Sequence, residues 1–129
     1  MTSPLLAPFP VVIDRDAAEA FARAVSLDDT RPPTAVADTF PLVWLARPSV
    51  IEALEGAPGE LPVLVSHAVT VIAPLAVAVP YQVSIFIDRT IANEGRVALN
   101  LDIDRADGTP VARHRLVYQL VALAAAAQA

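Results

Sequence analysis

From Val63 onward, apolar and polar positions alternate with a period of two, the mark of half-buried β-strands. In residues 96–105, Val97, Leu99, Leu101 and Ile103 fall on one side and Ala98, Asn100, Asp102 and Asp104 on the other. Val83, Ile85 and Ile87 alternate in the same way with Ser84, Phe86 and Asp88. The last such run, 111–123, puts Ala112, His114, Leu116, Tyr118 and Leu120 on one face. Asn93-Glu94-Gly95 and Ala106-Asp107-Gly108-Thr109 are hairpin turn signals between these runs. Residues 61–87 carry no formal charge, but Pro74 and Pro80 interrupt them, and Tyr81, Gln82 and Ser84 sit inside. They read as two buried strands joined at a proline corner rather than as a membrane helix.

The first half has a different period. Residues 5–13 predict an irregular strand, part of it at an edge because of its prolines. Asp14 predicts the N-cap of a short helix, with Asp16 and Glu19 near its positive end and Ala17, Phe21 and Ala24 or Val25 as its buried stripe. Residues 27–38 have loop composition. Pro41 suits the first turn of a second helix running to about Glu55, with Pro48 kinking or splitting it. Leu42, Leu45, Ile51 and Leu54 make that helix apolar around much of its circumference, and Trp44 is expected in the core. Helices followed by a run of antiparallel strands predict an α+β domain.

The 129 residues fit a single domain, here 1–129, with a core at about 5–121 and an alanine-rich tail at 122–129. The mean hydropathy of +0.52 is high for a chain of this size, and there is no lysine to blunt the sheet edges. A homodimer or heterodimer is therefore expected. A net charge of -5 argues against nucleic acid as a partner. The N-terminus lacks the basic flank of a signal peptide, so a cytoplasmic protein without a membrane segment is expected. With no lysine and no cysteine, Schiff-base chemistry, thiol nucleophiles and thiolate metal sites are excluded. Neither a metal constellation nor a phosphate-cradling glycine loop is present, and no cofactor is expected.

The order of elements, with an apolar helix ahead of four strands, resembles the hotdog fold, and particular segments resemble its MaoC-like, fatty-acid-synthase-type dehydratase branch. Residues 16–29 are similar to the family's first helix and the start of its catalytic loop, and 37–46 to the segment entering its central helix, where a Phe-Pro pair is common. Residues 64–89 resemble a histidine-bearing strand, an apolar-Pro-Leu corner and a long strand, and 95–121 the final hairpin with its Asp-Gly turn. The resemblance implies an acyl-CoA or acyl-carrier-protein partner and (R)-specific enoyl hydration or 3-hydroxyacyl dehydration. It also implies a catalytic loop reading approximately G-D-x-N-P-x-H, whose Asp and His together activate water. Here the loop reads Ser26-Leu27-Asp28-Asp29-Thr30-Arg31-Pro32-Pro33. Counted from Phe21, the Asp place falls on Leu27 and the His place on Pro32; a one-residue insertion gives Asp28 and Pro33. Neither register supplies the histidine.

Three sets of candidates remain. His67 shares a face with Val65, Val69 and Val71, so it is a core histidine bonded to a carbonyl or a replacement base facing the acyl tunnel, paired with Asp28 or Asp29. Those aspartates are catalytic remnants or ordinary turn residues. Arg89, Arg113 and Arg115 are candidates for CoA or carrier-protein phosphate, or else partners of nearby acids such as Asp88 and Asp102. His114, flanked by Arg113 and Arg115, is expected on the sheet surface or at an interface. Whether the chain is an enzyme stays open: a catalytically silent subunit, an active lyase using His67, and a thioesterase using Asp28, Asp29 or Asp38 all fit.

Overall fold

A computed structural model describes residues 2–25, 36–55, 59–89 and 95–122. Strands β1 (Thr2–Pro4) and β2 (Phe9–Val12) precede helix α1 (Arg15–Val25). A 3₁₀ helix (Phe40–Leu45) and helix α2 (Pro48–Leu54) follow, then β3 (Glu60–Val71), β4 (Pro80–Asp88), β5 (Arg96–Arg105) and β6 (Pro110–Ala122). The strands form one six-stranded sheet in the order β1-β4-β5-β6-β3, with β2 also on β4 and every pairing antiparallel. The irregular first strand is thus two short pieces laid along successive halves of β4.

Local chemistry explains the helices. The Asp14 carboxylate accepts a hydrogen bond from the Ala17 amide at 3.1 Å, capping α1 as its sequence predicts. The buried stripe of α1 is Ala18 with Phe21 and Ala22 half-buried, whereas Ala17 and Ala24 are exposed. The stripe is therefore rotated by one residue from the expected one. Pro48 splits the second helical segment: the chain is extended at Arg47 and restarts with Pro48 in the first turn of α2. Phe40 stands edge-on to both Phe21 and Trp44, at 5.4 and 5.8 Å, and ties α1 to the 3₁₀ helix. Trp44 is half-buried against the core rather than enclosed by it.

The core lies between these helices and one face of the sheet. Val83, Ile85, Leu99, Leu101 and Ile103 are all at most 1 % exposed and meet Ile13, Ala18, Phe40 and Val50. The alternation in β4 and β5 is the one read from sequence. Strand β3 departs from expectation. It is the last strand of the sheet, and Leu64, Val65, Val69 and Val71 are exposed rather than buried. A bulge between Leu64 and Ser66 leaves Val65 without a cross-strand partner and reverses the alternation. Leu64 lies opposite Tyr118 before the bulge, and His67, Val69 and Val71 lie opposite Leu116, His114 and Ala112 after it. Among the described residues no helix is long and apolar enough to cross a membrane.

Candidate active site

On the core-side face of the sheet, where β5, β6 and β3 run side by side, the register brings both histidines of the chain together. His114 lies opposite Leu101 on β5 and Val69 on β3, and His67 lies opposite Leu116. The Nε2 of His67 is 3.0 Å from the Nδ1 of His114, and the rings stack with centroids 5.3 Å apart and 19° between their planes. His67 is half-buried, while His114 is only 1 % exposed. The Nε2 of His114 is buried with no hydrogen-bond partner among the described residues. Burial first, and then the neighbouring His67, hold the His114 imidazole down to about 4, well below its ordinary 6.5. The Asp38 carboxylate, just ahead of the 3₁₀ helix, is near enough for its charge to pull the other way. His114 is therefore a neutral, buried ring at physiological pH, not the surface residue its flanking arginines suggest.

The other candidates stand elsewhere. Asp28 and Asp29 lie outside the described residues. Arg113 and Arg115 lie opposite Asp102 and Asn100 on β5, on the face of the sheet turned away from the histidine pair. Arg115 donates to Asp88 at 3.2 Å and to Asn100 at 3.1 Å, and Arg113 lies 4.0 Å from Asp102. Burial raises the Asp102 carboxyl, against the opposing pull of Arg113. These contacts line an open cavity of about 390 Å³ that includes Phe86, Asn100 and Thr70. Its two arginines are already matched by carboxylates, as the acid-partner alternative anticipates. Arg89 is exposed and donates to the Ala53 carbonyl of α2 at 3.1 Å, so it does not converge with the other two. No group of three or more His, Cys, Asp or Glu side chains among the described residues is placed to hold a metal ion.

No protein-family model and no curated protein matches the chain. Solved structures do. A hot-dog-like protein from Thermanaerovibrio acidaminovorans superposes with a TM-score of 0.66 at 17 % identity, over 99 % of this chain and 86 % of its own. The chain has the hotdog fold. A (3R)-hydroxyacyl-ACP dehydratase complex from Mycobacterium tuberculosis, HadBC, matches with a TM-score of 0.66 at 15 % identity, covering 86 % of this chain and 90 % of that one. A 1,4-dihydroxy-2-naphthoyl-CoA thioesterase from Synechocystis matches with a TM-score of 0.56 at 18 % identity, over 90 % of this chain and 82 % of that one. At these identities the hotdog likeness is one of fold, and function must be argued from the site.

Sequence reasoning singled out His67 but missed its partner. The signal was present in the alternation that groups His114 with Leu116 and Tyr118. What was missing was the strand order, which sets β6 between β5 and β3 and buries its core-side residues.

Proposed function

We propose that this hotdog domain binds an acyl thioester, of CoA or a carrier protein, and does not by itself hydrate enoyl thioesters. The observation that carries the reading is the fold, which recurs in solved enzymes named for both a hydroxyacyl-ACP dehydratase and acyl-CoA thioesterases. The apolar core-side face of the sheet and its histidine pair supply a setting for an acyl chain beside a titratable group. The dehydratase reaction needs a carboxylate and an imidazole on the loop after α1, and Pro32 or Pro33 takes the imidazole's place. Loss of such a base removes about 10²–10⁴ in rate.

The working unit is a dimer. Strand β3 ends the sheet, so one of its edges is free to pair among the described residues, and Val69 and Val71 leave an apolar margin on the core side. A second copy, or another hotdog subunit, joined there extends the sheet past His67 and covers that margin. Hydration of crotonyl-CoA and longer enoyl-CoA by the purified chain tests the functional reading. The expected rate is near background; robust turnover overturns it.

A further inference from the structure

The buried end of the histidine pair has a chemical consequence. His67 bonds through Nε2, which leaves Nδ1 as its second ring nitrogen, with no partner among the described residues. That nitrogen carries a free lone pair only when the hydrogen of His67 sits on Nε2 and is donated to His114. His114 must then be neutral and accept at Nδ1, with its own hydrogen on the buried Nε2. A charged His114 would donate from Nδ1 instead, forcing His67 to accept and placing its hydrogen on Nδ1. Burial keeps His114 neutral, as the pair requires. The groups facing the pair are Leu101 from β5, Leu116 and Tyr118 from β6, Val69 from β3, and the charge of Asp38 from the segment before the 3₁₀ helix. Of these, Asp38 alone is an acidic side chain.

We propose that His67 is the base of a water-activating site for thioester hydrolysis, with His114 as the positioning residue that fixes its tautomer and ring orientation. The inference rests on the acyl-thioester reading above and names the reaction. Nδ1 of His67 takes a proton from water while the water oxygen bonds to the thioester carbonyl carbon and the π pair moves onto the carbonyl oxygen. When that pair returns, the C–S bond breaks, its electrons leave with sulfur, and the proton on His67 passes to the thiolate. The products are a carboxylic acid and a thiol. Hydrolysis suits a single base because a thiolate, with a thiol pKa of about 8.5, departs without a dedicated acid. Hydration of an enoyl group needs a second group to deliver a proton to the α-carbon, and the loop position that would hold an imidazole is a proline.

The test uses the full chain and three readouts. Long-range ¹H–¹⁵N correlation on ¹⁵N-histidine-labelled protein, with only two histidines to assign, reports the tautomers. Both rings are expected as Nε2–H at pH 7.5; an Nδ1–H on His67 overturns the proposal. Binding is measured with S-(2-oxoalkyl)-CoA, whose methylene between sulfur and carbonyl blocks hydrolysis. Hydrolysis of hexanoyl- and decanoyl-CoA is followed by thiol release. His67→Gln should retain analogue binding within about threefold and lose roughly 10²–10⁴ in kcat, the range for a general base. His114→Leu should lower kcat and move the acid limb of the pH profile, while His114→Asn, which keeps an acceptor near Nδ1, should restore part of the rate. If His114→Leu fails to fold, the tautomers and His67→Gln decide. A wild type that binds the analogue without hydrolysing either thioester, or a His67→Gln variant that hydrolyses normally, overturns the proposal. Failure to bind the analogue instead removes the acyl-thioester reading on which it stands, whatever the tautomers show.

Discussion

Replacing His114 should flatten the acid dependence of stability. In the unfolded chain this ring titrates near 6.5, and in the folded chain at about 4. Between those values the unfolded state binds more protons than the folded one, so stability rises with pH. The contribution is fully present above the unfolded value and is lost as pH falls from 6.5 toward 4. The whole gap corresponds to about 3 kcal/mol at 1.36 kcal/mol per unit, of which about 2 kcal/mol falls between pH 7 and pH 5. Urea melts at fixed protein concentration across that range, for wild type and His114→Leu, give the answer. Surface carboxylates titrate alike in both proteins and cancel in the comparison. The wild type should lose about 2 kcal/mol more than the variant on acidification from pH 7 to pH 5. Curves that run parallel within about 0.5 kcal/mol would show that His114 is not a buried neutral ring, and that it does not hold His67 in the Nε2–H tautomer.

Other substitutions test other joints of the structure. Trp44→Ala should cost roughly 2 kcal/mol in a denaturant melt, less than the 3–5 kcal/mol of a fully enclosed aromatic, because Trp44 is half-buried on Phe40. Arg115→Leu should cost roughly 1–2 kcal/mol, between an exposed and a buried ion pair, since the Asp88 side chain is 12 % exposed while that of Arg115 is 40 % exposed. A change within about 0.3 kcal/mol would show that the Asp88 carboxylate is held by its other contacts. Sedimentation of the wild type should give a dimer at micromolar concentration, and Val69→Arg on the β3 margin should shift it toward 13.6 kDa. A wild type already at that mass removes the dimer.

How far the sequence reveals this molecule depends on which physical signal each part uses. The core strands are legible because Val83, Ile85, Leu99, Leu101 and Ile103 obey a strict period of two, and their burial follows it. The Asp14 cap and the break at Pro48 are local chemistry and appear where their residues predict. Strand β3 misleads for two reasons. Its apolar run suggests burial, but it ends the sheet, and the bulge at Val65 exchanges its faces in a way no composition announces. The candidate site was half legible: His67 stands out as one of two histidines on an apolar strand. Its contact with His114 spans 47 positions of sequence and depends on β3 pairing with β6 rather than with its neighbour in sequence, β4. Arg113 and Arg115 on either side of His114 point to the opposite face, so their charge says nothing about the ring between them.

Acyl-thioester binding by this hotdog domain is measured by isothermal titration with the hydrolysis-resistant S-(2-oxoalkyl)-CoA series. Saturable binding is expected, tightening with chain length by roughly 0.8 kcal/mol per added methylene and with a negative heat-capacity change. Absence of binding by a chain that is folded and dimeric would contradict it.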